Sequence, residues 1–251
     1  FDSVGRDRAM APSIYLADLT HTGLGVSART FPLGLGCVAA SAIEKFGDGI
    51  SCRLFKFPDD LNDALERHSP RMMCFSHYVW NSRLTNEFGC AVKKQDPGTV
   101  IVYSGPNFPI DRDDREAYLR RNTHIDFYIK WDGEQSFVDL LKMLISVEFN
   151  VDRLKKERFQ SKNCCYIVAE DYIEGPDHRF VDMASLASPY VEGWFDYLFD
   201  YPLTPLIETT RGCPYSCTFC NDGPAIRSKI FSKPIEMIAE EFEYIGHHIK
   251  H

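Results

Sequence analysis

The chain has 251 residues, nine of them cysteine, with 44% hydrophobic and 25% charged residues and a formal net charge of −8. That balance fits one large or two modest globular domains, and an acidic chain with no basic stripe gives no sign of a nucleic-acid partner. No apolar run approaches the ~20 residues that cross a bilayer. No signal peptide is visible, and the odd cysteine total argues against a secreted disulfide framework and for a reducing cytoplasm.

Residues 14–19 (Ile-Tyr-Leu-Ala-Asp-Leu) read as a buried strand. A glycine-rich stretch follows, first at 21–25 and then at 31–36 (Phe-Pro-Leu-Gly-Leu-Gly). Residues 37–45 read as a helix ended by Phe46-Gly47, 51–57 as a strand, and 61–68 as a helix stopped by Pro70. A strand is expected over 71–78, a helix over 82–94, and a strand over 99–103 closed by Ser104-Gly105-Pro106. A helix over 113–122, a strand over 125–130 and a helix over 134–146 complete five β–α units. Alternation of this kind predicts a parallel sheet with helices on both faces. Right-handed crossovers make it a Rossmann- or flavodoxin-like doubly wound domain over 1–148, with ligands at the carboxyl ends of its strands. Cys37, Cys52, Cys74 and Cys90 fall in apolar segments and read as small buried hydrophobes, while Cys164-Cys165 receives no role. Neither Gly23-Leu24-Gly25 nor Gly34-Leu35-Gly36 completes G-x-G-x-x-G, which argues against a dinucleotide.

Over 149–202 the pattern loosens into a linker, with a small hairpin expected within 166–180 and an aromatic-rich stretch, 190–201, expected to pack a connector onto a domain. From 203 a new unit begins: a strand over 203–210, a loop, and a helix over 233–249 with Pro234 in its first turn. This unit, 203–251, is one β–α unit, where a barrel needs roughly 200 residues. The chain is therefore expected to be a piece of a longer protein.

The loop of that unit reads Arg211-Gly212-Cys213-Pro214-Tyr215-Ser216-Cys217-Thr218-Phe219-Cys220, with cysteines at C-x3-C-x2-C. Three thiolates on one short loop can hold three irons of a [4Fe–4S] cube; full protein ligation takes four, so one iron stays open to another ligand. The alternatives are a redox dithiol or a zinc knuckle, and zinc needs a fourth ligand from Cys164, Cys165, His247 or His248.

The spacing, with Arg211-Gly212 before it, Pro214-Tyr215 after the first cysteine and Phe219 before the last, resembles the radical SAM superfamily. The resemblance implies a partial TIM barrel, Cys213, Cys217 and Cys220 as cluster ligands, S-adenosylmethionine (SAM) on the open iron, and Phe219 beside its adenine. The upstream doubly wound domain is similar to that of the cobalamin-binding class. Residues 31–40 resemble its proline-leucine-glycine segment, Ser104-Gly105-Pro106 its glycine-glycine-proline turn, Asp132-Gly133-Glu134-Gln135 its glycine-glutamate turn, and Ala187-Ser188-Pro189-Tyr190 the segment before its barrel. By this resemblance cobalamin would meet His21, Gly23, Gly25, Ser76, Ser104 and Gly105.

The family's cobalt-ligating D-x-H-x-x-G departs here to Asp18-Leu19-Thr20-His21-Thr22-Gly23, with the histidine one residue late. A loop histidine bonded to backbone or water is the competing reading for His21, and His77 carries the same caution. The family's chemistry implies one-electron reductive cleavage of SAM to a 5′-deoxyadenosyl radical, with methyl transfer from cobalamin to an unactivated carbon of a small-molecule or peptide substrate. It also implies an external one-electron reductant such as flavodoxin or ferredoxin. Radical cyclisation, rearrangement or C–H functionalisation without methyl transfer is the enzymatic alternative. A non-catalytic corrinoid- or metal-binding sensory module is the alternative of another class.

Overall fold

A computed structural model describes residues 11–23, 28–180 and 182–250. Its centre is a sheet whose strands are β1 (Ser13–Ala17), β2 (Ser51–Phe55), β3 (Met72–Ser76), β4 (Val100–Ser104) and β5 (Phe127–Ile129). These pair in parallel in the order β2-β1-β3-β4-β5, the flavodoxin-like arrangement. The chain reverses its direction of winding at β1 and β3, the switch point where such sheets open a ligand crevice.

The strands read as near-continuous apolar runs because both faces are covered. Period-two alternation then sorts their side chains. Ile14, Leu16, Met72, Cys74, Val100, Val102, Phe127 and Ile129 face one core, shared with α1 (Leu33–Phe46), α5 (Glu134–Ser146) and α6 (Val151–Lys156). Tyr15, Ala17, Met73, Phe75, Ile101, Tyr103 and Tyr128 face the other, with α2 (Pro58–Arg67), α3 (Ser82–Gln95) and α4 (Arg112–Arg121). Local signals start these helices: Pro58 opens α2 three residues before the expected start at 61, and the Asp111 side chain caps α4 by accepting from the amides of Asp113 and Asp114. Cys37 and Cys74 are buried as expected and Cys52 is half-buried, but Cys90 is exposed on the outer side of α3.

The five expected strands pair in parallel as predicted, and two expectations outside them are corrected. The hairpin β6 (Cys164–Val168) and β7 (Asp171–Glu174) adds to β5 antiparallel, so it extends the sheet to seven strands instead of standing in a linker. Cys164 and Cys165 alternate into the two cores, which gives them packing roles. The strand expected over 203–210 does not form. Pro205 lacks an amide proton, and the backbone N–H and C=O of Leu206 are both taken by the Tyr190 hydroxyl at 2.9 Å. Only Thr204 bridges, in parallel, to Thr30. What remains is β8 (Thr210–Arg211), paired antiparallel with β9 (Phe231–Ser232), ahead of α7 (Ile235–His248).

A third core fixes this segment onto the sheet domain. Phe31, Leu33 and Cys37 from the start of α1 meet Tyr190, Phe195, Leu198 and Phe199 of the connector and Ile245 of α7. The aromatic stretch thus packs a connector, with Tyr197 and Tyr201 left at the surface. Gly36 lets this happen: a Cβ there would overlap the Phe195 ring and approach Pro189 within 2.9 Å. No helix among the described residues is long and apolar enough to cross a membrane.

Candidate cluster loop and corrinoid cavity

The loops after β3, β4 and β5 converge at the carboxyl edge of the sheet. There they line a cavity of about 600 Å³ whose far wall is built from the segment 206–211 and from Asn221, Asp222 and Arg227, just past the three cysteines, none of which lines it. Ser76, Ser104 and Gly105 lie on the sheet side, and Glu208, Arg211, Asn221 and Asp222 on the other. Gly105 has φ of +131°, and a Cβ there would sit 2.5 Å from the His77 carbonyl oxygen. Only glycine keeps this turn close against the β3 loop.

His21 and Gly23 do not line the cavity, and Gly25 lies outside the described residues. His21 is exposed, with its Nε2 3.1 Å from the Trp80 carbonyl, so it holds a backbone bond of the competing reading. Asp18 is paired with the buried Lys56 ammonium at 3.0 Å. His77 is enclosed. Its Nδ1 lies 3.1 Å from the Tyr128 hydroxyl, and its Nε2 3.2 Å from the Asn107 amide nitrogen. Tyr128 donates its own proton to the Gly105 carbonyl, so it accepts from Nδ1–H while Nε2 accepts from Asn107. Burial, then the neighbouring His124, lowers the His77 pKa to about 4.

The three cysteines sit together on one surface loop outside every apolar core: Cys213 and Cys220 half-buried, Cys217 exposed. The Cys213 amide bonds the Arg227 carbonyl at 2.9 Å, closing the base of the loop, and the Cys220 amide bonds the Cys217 carbonyl at 3.1 Å. Phe219 is 91% exposed at its tip. Among the described residues no three His, Cys, Asp or Glu side chains are grouped to hold one metal ion. Thiols are weak hydrogen-bonding groups, so the polypeptide alone has no force to draw three of them to a point. Sites of this kind are completed by the metal. In residue type, number and position on one accessible loop, the donor set suits an iron–sulfur cluster.

The loop is tied to the sheet domain by contacts that sequence reasoning did not foresee. Asn221, next to Cys220, donates to the Pro106 carbonyl at 2.8 Å. Arg211 forks twice, to Glu134 at 2.8 and 3.2 Å and to Glu208 at 2.6 and 2.9 Å. Burial alone would lower the Arg211 pKa, but Glu208 and Glu134 outweigh it and the net shift is upward. Glu208 carried no signal in the sequence beyond a carboxylate three residues before an arginine.

No family model matches the chain. Over 187 residues it is 30% identical to 2-(S-pantetheinyl)-carbapenam-3-carboxylate methyltransferase of Streptantibioticus cattleyicolor, covering 71% of this chain and 26% of that protein. It is 27% identical, over the same length and shares, to the cobalamin-dependent radical SAM methyltransferase TokK of Streptomyces tokunonensis. The chain is homologous to the cobalamin-binding radical SAM enzymes. It spans about a quarter of the length of these curated relatives. Its fold is that of OxsB, a cobalamin-dependent SAM radical enzyme solved with aqua-cobalamin and SAM bound. The TM-score is 0.66 at 17% identity, over 93% of this chain and 31% of that one. The OxsB structure with aqua-cobalamin alone gives 0.67 at the same identity and coverage.

Proposed function

We propose that this chain carries the corrinoid-binding domain and cluster loop of a cobalamin-dependent radical SAM enzyme that transfers a methyl group to an unactivated carbon. The observation that carries the reading is the bond from Asn221 to Pro106. It joins the residue after the last cysteine to the glycine turn of the sheet, and Asn221 lines the same cavity as Ser104 and Gly105, which brings the end of the cluster loop to the cavity's edge. In this reading Cys213, Cys217 and Cys220 hold three irons of a [4Fe–4S] cluster and Phe219 lies beside the SAM adenine. Ser76, Ser104 and Gly105 receive the corrinoid, with no histidine on cobalt. The cluster supplies the electron that splits SAM reductively, and the corrinoid carries the methyl group. The protein's part is to orient the two groups and keep water out. An external flavodoxin or ferredoxin would provide the electron.

The kinship to two methyltransferases supports methyl transfer over other radical outcomes. The test is anaerobic reconstitution with iron, sulfide and hydroxocobalamin, then desalting. Iron bound in the wild type and lost in Cys213→Ala, with a corrinoid absorbance retained in both, is the expected result. Unchanged iron in the variant would end the cluster assignment, and no retained corrinoid would end the cobalamin assignment.

A further inference from the structure

The turn after β5 does something its resemblance to a corrinoid-binding segment does not imply. It holds two carboxylates, Asp132 and Glu134, each almost completely buried. Glu134 takes the Arg211 fork, immediately before Gly212-Cys213. Asp132 accepts from Arg179 Nε and from the Phe180 amide, both at 2.8 Å, and lies 3.6 Å from the Arg227 guanidinium. Arg179 in turn donates to the Ile226 carbonyl at 2.7 Å. Arg211 and Arg227 are the two ends of the cysteine loop, joined at its base by the Cys213–Arg227 backbone bond. One short turn therefore grips both legs of the loop.

The turn is built for rigidity. Trp131, just before it, sits at φ of +60°, a left-handed conformation that is costly for a bulky side chain and persists only where its surroundings enforce it. They do: the indole N–H donates to Asp177 at 3.0 Å, and the Arg227 guanidinium lies 5.7 Å over the ring. An ordinary surface ion pair contributes little. Here Arg211 forks onto the buried Glu134, while the buried Asp132 takes one bond from Arg179 and lies within ion-pair range of Arg227, so removing a partner strands a buried charge.

We propose that the Asp132-Gly133-Glu134 turn is the positioning element for the cluster loop: it clamps the loop's two legs through Arg211 and Arg227 and so fixes the cysteines relative to the sheet cavity. This rests on the reading of the loop as the cluster site, but the clamp itself is testable in protein without metal. The experiment is hydrogen–deuterium exchange by mass spectrometry on the metal-free chain, comparing wild type with Glu134→Gln, Arg211→Lys and Arg227→Gln. Each variant should speed exchange across 210–232 by about tenfold or more while β3 and β4 stay protected, because local opening is read separately from global unfolding. Arg211→Lys keeps the charge and should not rescue, since the fork is lost.

Unchanged protection of 210–232 in all three variants overturns the clamp, and so does equal loss of protection in the loop and in β3 and β4. If Glu134→Gln fails to fold, the half-exposed Arg227 variant carries the test alone. After reconstitution with iron and sulfide, the reduced cluster of Glu134→Gln should show an altered electron paramagnetic resonance line shape at wild-type iron content. An unaltered spectrum counts against positioning. Wild-type protein that binds no iron, yet loosens its loop in the variants, would refute the cluster reading and leave the clamp standing.

Discussion

His77 shows how one side chain can look like a ligand and be committed elsewhere. It follows β3 at the carboxyl edge of the sheet, where a metal-binding histidine would be expected, yet both ring nitrogens are engaged by Tyr128 and Asn107. Its neutral form is the one those partners fit, since a proton on Nε2 would point at the Asn107 amide. The folded pKa, about 4, lies below the ordinary value of 6.5. The unfolded chain therefore binds the extra proton first. Stability from this residue is complete above about pH 6.5 and declines as pH falls toward 4, by about 3 kcal/mol over the window. Histidine carbon-bound proton shifts followed by nuclear magnetic resonance should place His77 below pH 5; a midpoint near 6.5 would contradict the enclosed network. Sequence position alone could not distinguish this outcome from ligation, because the deciding partners, Tyr128 of β5 and Asn107 of the loop after β4, come from other parts of the chain. The cysteines were the opposite case. Their spacing is local, so their place on one loop was legible, whereas the grip of Glu134 on Arg211 spans the whole connector and was not.

Helix α1 is where sequence and packing meet most closely. Gly34 and Gly36 look equivalent in the sequence, but nothing lies within 4 Å of a Cβ at Gly34, while one at Gly36 would overlap Phe195. Phe195 cannot yield, being fully buried between Phe31 and Tyr190. Gly34→Ala should gain up to about 1 kcal/mol from helix propensity. Gly36→Ala gains the same and loses about 1–3 kcal/mol to overpacking, so it should lower the unfolding midpoint. A denaturation series with equal midpoints for the two variants would refute the close approach. The other anchor of this interface is the buried Lys233–Glu241 pair, 2.8 Å apart, with Ser188 donating to the same carboxylate oxygen. Lys233→Met strands a buried carboxylate and should cost about 3–5 kcal/mol, much of it recovered by adding Glu241→Leu. Urea unfolding of the single and double variants checks this. The five β–α units were readable because two-sided burial writes itself as apolar runs of strand length. The missing strand at 203–210 was misread because its apolar run carries Pro205 and is held by Tyr190, a residue of the connector.

At the scale of the whole molecule, the cysteine loop and the sheet cavity are built from separate stretches of chain and meet at a few polar contacts. Loading of the two groups should then be separable. Cys217 touches no apolar core, so Cys217→Ala should abolish most iron binding without disturbing the sheet or the corrinoid it retains. Gly105 is the reverse. At φ of +131°, any side chain costs about 1–3 kcal/mol in backbone strain and intrudes on the His77 backbone. Gly105→Ala should therefore lose corrinoid after desalting while the cysteine loop still takes up iron, with circular dichroism confirming that the sheet survives. The measurement is paired, iron by colorimetry and corrinoid by absorbance, on the same reconstituted samples. Parallel loss of both groups in Cys217→Ala would mean that the corrinoid depends on a formed cluster, and that the cavity is completed by the loop rather than merely bordered by it. Retention of both in Gly105→Ala would move the corrinoid away from the turn after β4, and with it the reason for that turn's closeness to β3.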